Sequence, residues 1–461
     1  MENKLERKYG LFTAICMVVG IVIGSGVFFK AQNILQKTGG DMKLGIISWL
    51  IGGAIMLVCL LTFAFMGQKY ERVNGVVDYA EATMGKRYGY LVGWYIAVMY
   101  FPAMTSVLAW LSARYTLEFV VSVNPNFPLL IPAAQGGCVV GPECMALAFF
   151  YACAMYAMNS IAPKLAGKFQ TTTTIIKMIP LALMAVVGII YGLANGTLAN
   201  NLNTPAVVAE SSSNPLFAGV CATAFAYEGW IIATSINSEI KDSKKNLPKA
   251  LIIGGFVIIA TYLLYFIGVG GGASLQELVD NGATTAFTNI FGGVLGNILN
   301  LFIAISCLGT TNGLMMACTR SFYSLAVRGN GPAPAVVSEV DAKTNTPNNS
   351  AIISLIFTGA WFLYFYLSNL AGTWKGAFVF DSTELPIIFI YGMYVPMMIQ
   401  WMRKEKDQSV LRRFIMPALT IIGCLFMIFA CVLSHKMAVV WYFIVFAVVM
   451  AIGLLLYKKK K

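Results

Sequence analysis

The chain has 461 residues, of which 58% are hydrophobic and only 11% are charged, too few charges to cover the water-facing surface of a soluble protein. The net charge of +12 does not indicate a nucleic-acid partner, because the lysines and arginines cluster at the ends of apolar runs and form no basic face. We therefore expect lipid to be the main solvent and no nucleic acid to be bound.

About twelve apolar runs follow one another along the chain, most of them long enough to cross a bilayer as a helix. We predict an all-α integral membrane protein with transmembrane helices near residues 11–37, 44–67, 89–121, 142–160, 169–195, 215–240, 248–272, 292–321, 349–370, 378–402, 413–434 and 438–457. The connections near 122–141, 196–214 and 273–291 contain no lysine or arginine, whereas the alternate connections are basic. The positive-inside rule then places both termini in the cytoplasm.

Two of the runs are interrupted near their middles. The first contains GIVIGSGVFF at 20–29, and the sixth contains Gly219 followed by FAYEGW at 225–230. Glycines weaken a helix, and unwound backbone persists at membrane depth only where it lines a cavity or is buried in protein. Close helix packing is one explanation of such glycines. The matched breaks in helices one and six favour another, a binding site between two five-helix repeats of inverted topology.

This arrangement predicts a single transmembrane domain over 1–461. Residues 9–195 form the first repeat, 215–402 form the second, and 413–457 supply two additional helices. No repeat is visible at the level of residue identity, so the division depends on the positions of the two breaks.

Broken helices can bind both charged ends of an amino acid without using side-chain charge. Amides at the start of the outer half of helix one, at Ser25 and Gly26, present positive dipole density to a carboxylate. Free carbonyls at Ile21 and Ile23 on helix one, and at Phe225 on helix six, can accept hydrogen bonds from the ammonium group. We therefore predict the substrate site at these two segments.

Several charged residues within or beside the apolar runs need an explanation. Inserting a lysine such as Lys177 into a membrane helix costs about 3 kcal/mol or more. Lys177 is either a fixed cation that holds helix one against helix eight or a lysine whose side chain reaches toward the cytoplasm. Glu228, inside the second break, could recognise a polar or basic side chain, couple transport to protons, or satisfy freed backbone amides. Asp381 and Glu384 lie at the start of the tenth helix and are expected to cap it.

The cysteines and the single histidine suggest no catalytic or metal centre. The ten cysteines lie mostly in apolar runs, without metal-ligand or redox spacing, and we expect no metal and no cofactor. Cys138 and Cys144 share one outer connection and could form a disulfide. His435 lies at a helix end, which argues against a histidine proton relay.

Several motifs together resemble the L-amino acid transporter branch of the amino acid, polyamine and organocation (APC) transporter superfamily. They are GIVIGSGVFF, FAYEGW followed by SEIKDSKKNLPKAL, QTTTTIIKMIP, and ISCLGTTNG with a downstream arginine-led segment at 320–326. The resemblance runs from about residue 9 to 402. It implies the five-plus-five inverted repeat of sodium-coupled transporters, with alternating access.

The resemblance also implies roles for individual residues. The substrate backbone is expected to bind at Ile23, Gly24, Ser25, Gly26, Phe225, Tyr227 and Glu228. Phe225 matches an outer aromatic gate, and Lys177 matches a lysine at the position where sodium sits in relatives. Tyr262 and Asn312 match positions that take part in conformational coupling. Glu228 departs from the family pattern, because many relatives have a small residue there.

Two functions therefore remain open. The first is sodium-independent exchange of small neutral L-amino acids across the plasma membrane, which is typical of the family. The second is a proton-coupled permease for polar or cationic amino acids or amines that uses Glu228. No enzymatic activity is expected. Mammalian members of this branch pair with a single-span glycoprotein through an outer-loop cysteine, but no accessory subunit is expected here, and a bacterial cell membrane is the predicted location.

Overall fold

A computed structural model describes residues 7, 9–24, 26–70, 75–208, 214–235 and 239–458. Its main helices are α1 (Leu11–Val22 as α1a and Gly26–Lys37 as α1b), α2 (Met42–Lys69), α3 (Lys86–Val123), α4 (Gly137–Ile161), α5 (Pro163–Ala194), α6 (Pro215–Tyr227 as α6a and Ile232–Ser235 as α6b), α7 (Ser243–Gly272), α8 (Gly293–Ala326), α9 (Asn348–Leu370), α10 (Leu385–Lys404), α11 (Leu411–His435) and α12 (Met437–Leu456). Shorter helices cover Gly75–Met84, Thr197–Asn203, Leu275–Asn281, Ala283–Phe291 and Pro334–Val337.

The predicted number of spanning helices agrees with the structure. Among the described residues, eleven helices are long and apolar enough to cross a membrane, counting the two halves of α1 as one, and α6a is a shorter apolar helix. The perimeter carries exposed apolar side chains such as Phe443, Val448 and Leu455 on α12, as expected for a surface in contact with lipid. In contrast, the most apolar window of α3 is wholly buried, so α3 lies in the centre of the bundle.

Both predicted breaks are present. In α1, the Ile23 amide donates to the Val19 carbonyl at 2.8 Å and the Gly24 amide donates to the Val22 carbonyl at 2.9 Å, which tightens the backbone before α1b begins. In α6, Glu228 is extended and Gly229 has a φ of +106°, a conformation that side chains with a Cβ rarely adopt. Each break therefore separates two short half-helices.

The glycines at the breaks also bring helices close together. A Cβ on Gly26 would lie 2.7 Å from the Cα of Ala226, so α1b and α6a approach each other through their backbones. A Cβ on Gly20 would lie 2.0 Å from the Thr174 hydroxyl on α5. Close helix packing is therefore one role of Gly20 and Gly26. That the two breaks form a binding site between inverted repeats stays a prediction.

Several helix boundaries differ from the prediction. Helix five begins at Pro163 rather than near 169, and helices six and ten differ for reasons that the local backbone shows. The second half of helix six is only one short turn, Ile232–Ser235, and Ile240 instead forms an isolated parallel bridge with Tyr9. Helix ten begins at Leu385 rather than near 378, because the Asp381 carboxylate accepts hydrogen bonds from the amides of Thr383 and Glu384 and holds a turn there.

The two breaks lie next to each other in the middle of the bundle, and this proximity positions the candidate site. The assignment of residues 9–195 and 215–402 to two inverted repeats, with 413–457 outside them, stays a prediction. The side of the molecule reached by α1b, α6a and the start of α10 is named the outer side, in accordance with the predicted orientation.

Candidate substrate site

A small cavity lies between the two broken helices, against α3 and α8. It has a volume of about 30 Å³ and is lined by Ile21, Val22, Gly24, Gly26, Tyr100, Met104, Leu108, Phe225, Glu228, Gly229, Ile232, Thr310 and Leu314. We call it the inner cavity. Most of these lining residues are apolar, and among them only Glu228 is charged. A cavity of this volume has room for water but not for an amino acid. Binding of an amino acid therefore requires the surrounding segments to move apart.

Lys177 on α5 joins the end of α1a to α8. Its ammonium donates to the carbonyls of Gly20 at 2.7 Å and Ile23 at 2.6 Å, and it lies 3.2 Å from the Ser306 carbonyl and 3.3 Å from the Thr310 hydroxyl. The residue is 0% exposed, so it does not reach toward the cytoplasm. These contacts support the role of a fixed cation between helices one and eight, which stays a prediction.

Tyr262 on α7 contacts both broken helices. Its hydroxyl is 2.9 Å from the Val22 carbonyl at the end of α1a and 2.8 Å from the Ala226 carbonyl in α6a. One hydroxyl proton can serve only one of these acceptors at a time. Which of the two carbonyls accepts the hydrogen bond therefore depends on the relative position of α1 and α6. The part of Tyr262 in conformational coupling stays a prediction.

Glu228 is hydrogen-bonded to Tyr100 on α3. The Tyr100 hydroxyl donates to Glu228 Oε1 at 2.5 Å, and the Gly229 amide and the Tyr391 hydroxyl lie near the same carboxylate. Tyr100 ends a π-helical turn, Ile96–Tyr100, and such turns are frequent at functional sites. The extra residue in this turn brings the hydroxyl of Tyr100 to the second break.

Phe225 separates the inner cavity from a larger space on the outer side. This outer cavity has a volume of about 320 Å³, and Phe225 lines both cavities. The Lys30 ammonium lies 5.5 Å from the centre of the Phe225 ring, within the range of a cation–π contact. An aromatic ring between two cavities is suited to gating, and the role of Phe225 as the outer gate stays a prediction.

The outer cavity contains a buried ionic cluster. Lys30 on α1b donates to Glu384 Oε1 at 2.5 Å, and His435 Nε2 lies 2.8 Å from Glu384 Oε2. The prediction that Glu384 caps helix ten is wrong, because its side chain makes no capping hydrogen bond and binds these two groups instead. Asp381 provides the turn, and Glu384 connects α1b with α11.

The same architecture is found in proteins of known structure and function. Over residues 9–459 the chain matches the family model described as amino acid permease. The chain belongs to the amino acid permease family.

Individual relatives agree with this assignment. The permease is 31% identical over 351 residues to the serine/threonine exchanger SteT of Bacillus subtilis (strain 168), covering 75% of this chain and 74% of that protein. It is 27% identical over 367 residues to large neutral amino acids transporter small subunit 2 of Mus musculus, covering 77% of this chain and 63% of that protein. The chain thus matches less than two thirds of the mouse protein's length.

A solved structure shows the same fold. The crystal structure of MhsT in complex with L-phenylalanine superposes with a TM-score of 0.61 over 96% of this chain and 99% of that chain, at 13% sequence identity. The fold is therefore the APC fold with broken helices one and six, as the sequence predicts.

Five of the eight predicted substrate residues line the inner cavity of the permease: Ile21, Gly24, Gly26, Phe225 and Glu228. The Ile23 carbonyl binds Lys177. Tyr227 belongs to the same segment as Glu228 but faces α2, where its hydroxyl donates to the Trp49 carbonyl at 3.0 Å. Ser25 lies outside the described residues.

Asn312 links α8 to α4 and α5 rather than to the break in α1. Its amide nitrogen donates to the Ala166 carbonyl at 3.1 Å and to Gln170 Oε1 at 2.9 Å, and its Oδ1 accepts from Asn159 Nδ2 at 2.9 Å. Helices α5 and α8 in turn pack against α1a. The contribution of Asn312 to conformational coupling stays a prediction, and it would act through the positions of these helices.

Cys138 and Cys144 are both free thiols in the structure, and both are buried. The possible disulfide between them is therefore not formed. Neither thiol is exposed on the outer surface, where a covalent partner subunit would have to reach it.

The inner side of the permease is sealed. The Tyr9 amide donates to the Glu239 carbonyl at 3.0 Å, and the Lys241 amide donates to the Tyr9 carbonyl at 2.8 Å. Beneath this bridge, buried Arg320 on α8 forms an ion pair with Glu239 and donates to the Met316 carbonyl at 2.7 Å. The larger cavity thus lies on the side named outer, and the bridge and ion pair close the opposite side. If the predicted orientation holds, this is an outward-oriented state.

Sequence reasoning missed three residues at the site: Tyr100, Thr310 and Lys30. Thr310 lies inside the ISCLGTTNG motif, so its position in that motif is an available signal. Tyr100 and Lys30 belong to no motif that the sequence makes recognisable. Their partners are 128 and 354 residues away along the chain, and only the folded structure brings them together.

Proposed function

We propose that this permease exchanges small neutral L-amino acids across the plasma membrane without coupling to sodium. The observation that carries the proposal is the position of Lys177, whose ammonium binds the carbonyls of Gly20 and Ile23 and lies beside Thr310. Carbonyls of an unwound helix are the groups that coordinate sodium in transporters with broken helices. A fixed ammonium at this position replaces a transported cation.

The inner cavity supports a small and neutral substrate. Most of its lining is apolar, and it contains no lysine or arginine side chain that would favour an acidic substrate. Glu228 is its one charged residue, and the variant described below tests whether it affects the choice of substrate. The substrate carboxylate would bind at the start of α1b, at Gly26 and the neighbouring Ser25. The ammonium would bind the last carbonyls of α6a, which have no partner within that half-helix.

Transport would proceed by alternating access. Substrate that enters from the outer cavity passes Phe225, orders the two breaks, and allows the inner seal to open. In this proposal one helix bundle rocks against another and exposes the site alternately to each side. The bundles are drawn from the repeats 9–195 and 215–402, and 413–457 supplies two additional helices. Both termini face the cytoplasm, and the permease works without an accessory subunit, which agrees with the burial of Cys138 and Cys144.

The bacterial relative supports exchange over net uptake, and the mouse relative supports neutral substrates. The Bacillus subtilis protein is named as a serine/threonine exchanger, and the mouse protein is named for large neutral amino acids.

The test is uptake of radiolabelled L-serine into proteoliposomes that are either preloaded with L-serine or left empty. We expect uptake in preloaded vesicles only, and the same rate with sodium or with choline outside. Uptake into empty vesicles that increases when the outside is acidified would instead establish a proton-coupled permease, and stimulation by sodium would contradict the role given to Lys177.

Replacing Glu228 with glutamine distinguishes these mechanisms further. In an exchanger, Glu228→Gln should keep L-alanine exchange within about threefold of wild type, because the glutamine carbonyl can still accept the Tyr100 hydrogen bond. The measurement is the initial rate of exchange at pH 6 to 8, roughly the range in which an acidic coupling group would act.

The control for this variant is Tyr100→Phe, which removes the hydrogen bond but keeps the carboxyl group. If Glu228→Gln abolishes a pH dependence that Tyr100→Phe retains, the carboxyl group itself takes part in proton coupling, and neutral exchange is the wrong assignment.

A further inference from the structure

We propose that Cys221, Cys431 and His435 form a binding site for a thiophilic divalent cation, Zn²⁺ in particular, at the outer cavity. One ligand atom from each side chain lies within 4.8 Å of the others. Two thiolates and an imidazole are a ligand set that zinc prefers. Ideal tetrahedral zinc would hold such atoms about 3.5 to 3.8 Å apart, so small side-chain rotations complete the site.

The helices that carry these residues favour a defined geometry. Cys431 and His435 are four residues apart on α11 and therefore share one face of that helix. Cys221 approaches from α6a. Ligands fixed on two packed helices lose little freedom when a metal binds, which favours affinity.

Glu384 provides the outer support that metal-binding histidines require. His435 Nε2 lies 2.8 Å from Glu384 Oε2, so in the proposed site Nε2 keeps the carboxylate and Nδ1 would bind the metal. Carboxylate–histidine–metal arrangements fix the orientation of the imidazole ring. The Cys221 thiol also lies 3.5 Å from Glu384 Oε2, within reach of the same carboxylate.

The charges balance when the metal binds. On metal binding both thiols lose their protons to bulk water by way of the outer cavity, which Cys221 and His435 line. With a neutral His435, the two thiolates neutralise Zn²⁺. Glu384 is already neutralised by Lys30 at 2.5 Å. The filled site therefore adds no net charge to a region of low dielectric constant, which is the condition under which a buried ion is tolerated.

The site is accessible, and its occupancy affects the movement of Phe225. Cys221, Glu384 and His435 line the outer cavity, through which an ion can enter. Cys221 lies one helical turn before Phe225 on α6a. A metal that joins Cys221 to α11 would hold this turn in place, and we expect it to slow the movement of Phe225 and hence exchange.

The experiment uses purified protein that has been reduced with a phosphine and freed of metal. We expect about one equivalent of Co²⁺ to bind and to produce a thiolate-to-cobalt absorption band, and Zn²⁺ to displace it. Cys221→Ser and Cys431→Ser should lose the band. Glu384→Gln should weaken Zn²⁺ binding by about 10- to 100-fold, as expected when the partner of a ligating histidine is removed.

The matched control is Cys424→Ser, which removes another buried thiol from α11 and should leave the band unchanged. Absence of bound metal from wild type, or a band that survives in both Cys221→Ser and Cys431→Ser, would overturn the proposal. If the serine variants fail to give a monodisperse protein on gel filtration, His435→Gln tests the same site with both thiols intact.

Transport provides a separate readout. Zn²⁺ should lower L-serine exchange in wild type and Cys424→Ser but not in Cys221→Ser. Because metal binding is measured spectroscopically, a protein that binds cobalt but does not exchange amino acids would contradict the proposed function and leave the metal site standing.

Discussion

Replacing Lys177 with alanine should slow amino acid exchange at least about tenfold, because the variant loses hydrogen bonds to buried carbonyls that each cost about 1 to 3 kcal/mol when left unpaired. The ammonium of Lys177 is the group that connects the end of α1a with α8. Without the ammonium, the end of α1a is no longer bound to α8 through Lys177. We expect this loss to slow the conformational steps of the transport cycle.

Substrate affinity should change much less in this variant. Lys177 does not line the inner cavity, so it makes no contact with the proposed substrate position. The measurements are the exchange rate in proteoliposomes and the binding of L-serine to purified protein. We expect a change in dissociation constant of less than about threefold, or roughly 0.7 kcal/mol.

The control is Lys168→Ala on the same helix, at an exposed position, which should exchange normally. An unchanged exchange rate in Lys177→Ala would contradict the role of this residue. If sodium restores exchange in Lys177→Ala, the oxygen atoms that the ammonium vacates are able to bind the cation that it replaces, which would strengthen the proposal.

The positions of the two breaks and of Lys177 could be predicted because each has a strong local signal. Closely spaced glycines within an apolar run, or a lysine in the middle of one, conflict with an ordinary membrane helix and so indicate a special position. Both kinds of conflict have a structural explanation here. The glycines lie where α1 and α6 are broken, and Lys177 is buried between α1 and α8.

The ionic cluster in the outer cavity could not be predicted in this way. Glu384 precedes a helix, and local reasoning assigns such a residue to capping. Its actual partners, Lys30 and His435, are 354 and 51 residues away. Nothing in the neighbourhood of Glu384 indicates either of them.

The same limit applies to the cysteines of the proposed metal site. Cys221 and Cys431 lie in separate apolar runs, and their separation along the chain gives no reason to expect a metal. The sequence therefore predicts no metal, whereas the structure leads us to propose one.

Tyr227 shows a related difficulty. It is adjacent to Glu228, but the end of α6a directs its side chain toward α2, and sequence adjacency at a helix end does not predict which residues face a cavity.

Replacing Glu239 with glutamine should open the inner side of the permease. In the sealed state Arg320 is buried and paired with Glu239, and removing one partner of a buried ion pair costs about 3 to 5 kcal/mol. In an inward-open state the guanidinium would reach water and avoid most of this cost. The variant should therefore shift the population toward inward-open conformations.

Hydrogen–deuterium exchange measures this shift directly. We expect faster exchange in peptides that contain Tyr9 and Lys241, whose amides form the bridge over the ion pair, and a lower rate of L-serine exchange because the outward-oriented state is depleted. Lys241→Gln, which changes an exposed charge beside the bridge, is the control. Unchanged deuterium uptake in Glu239→Gln would show that the bridge, rather than the ion pair, seals the inner side, and the bridge residues would then be the next to alter.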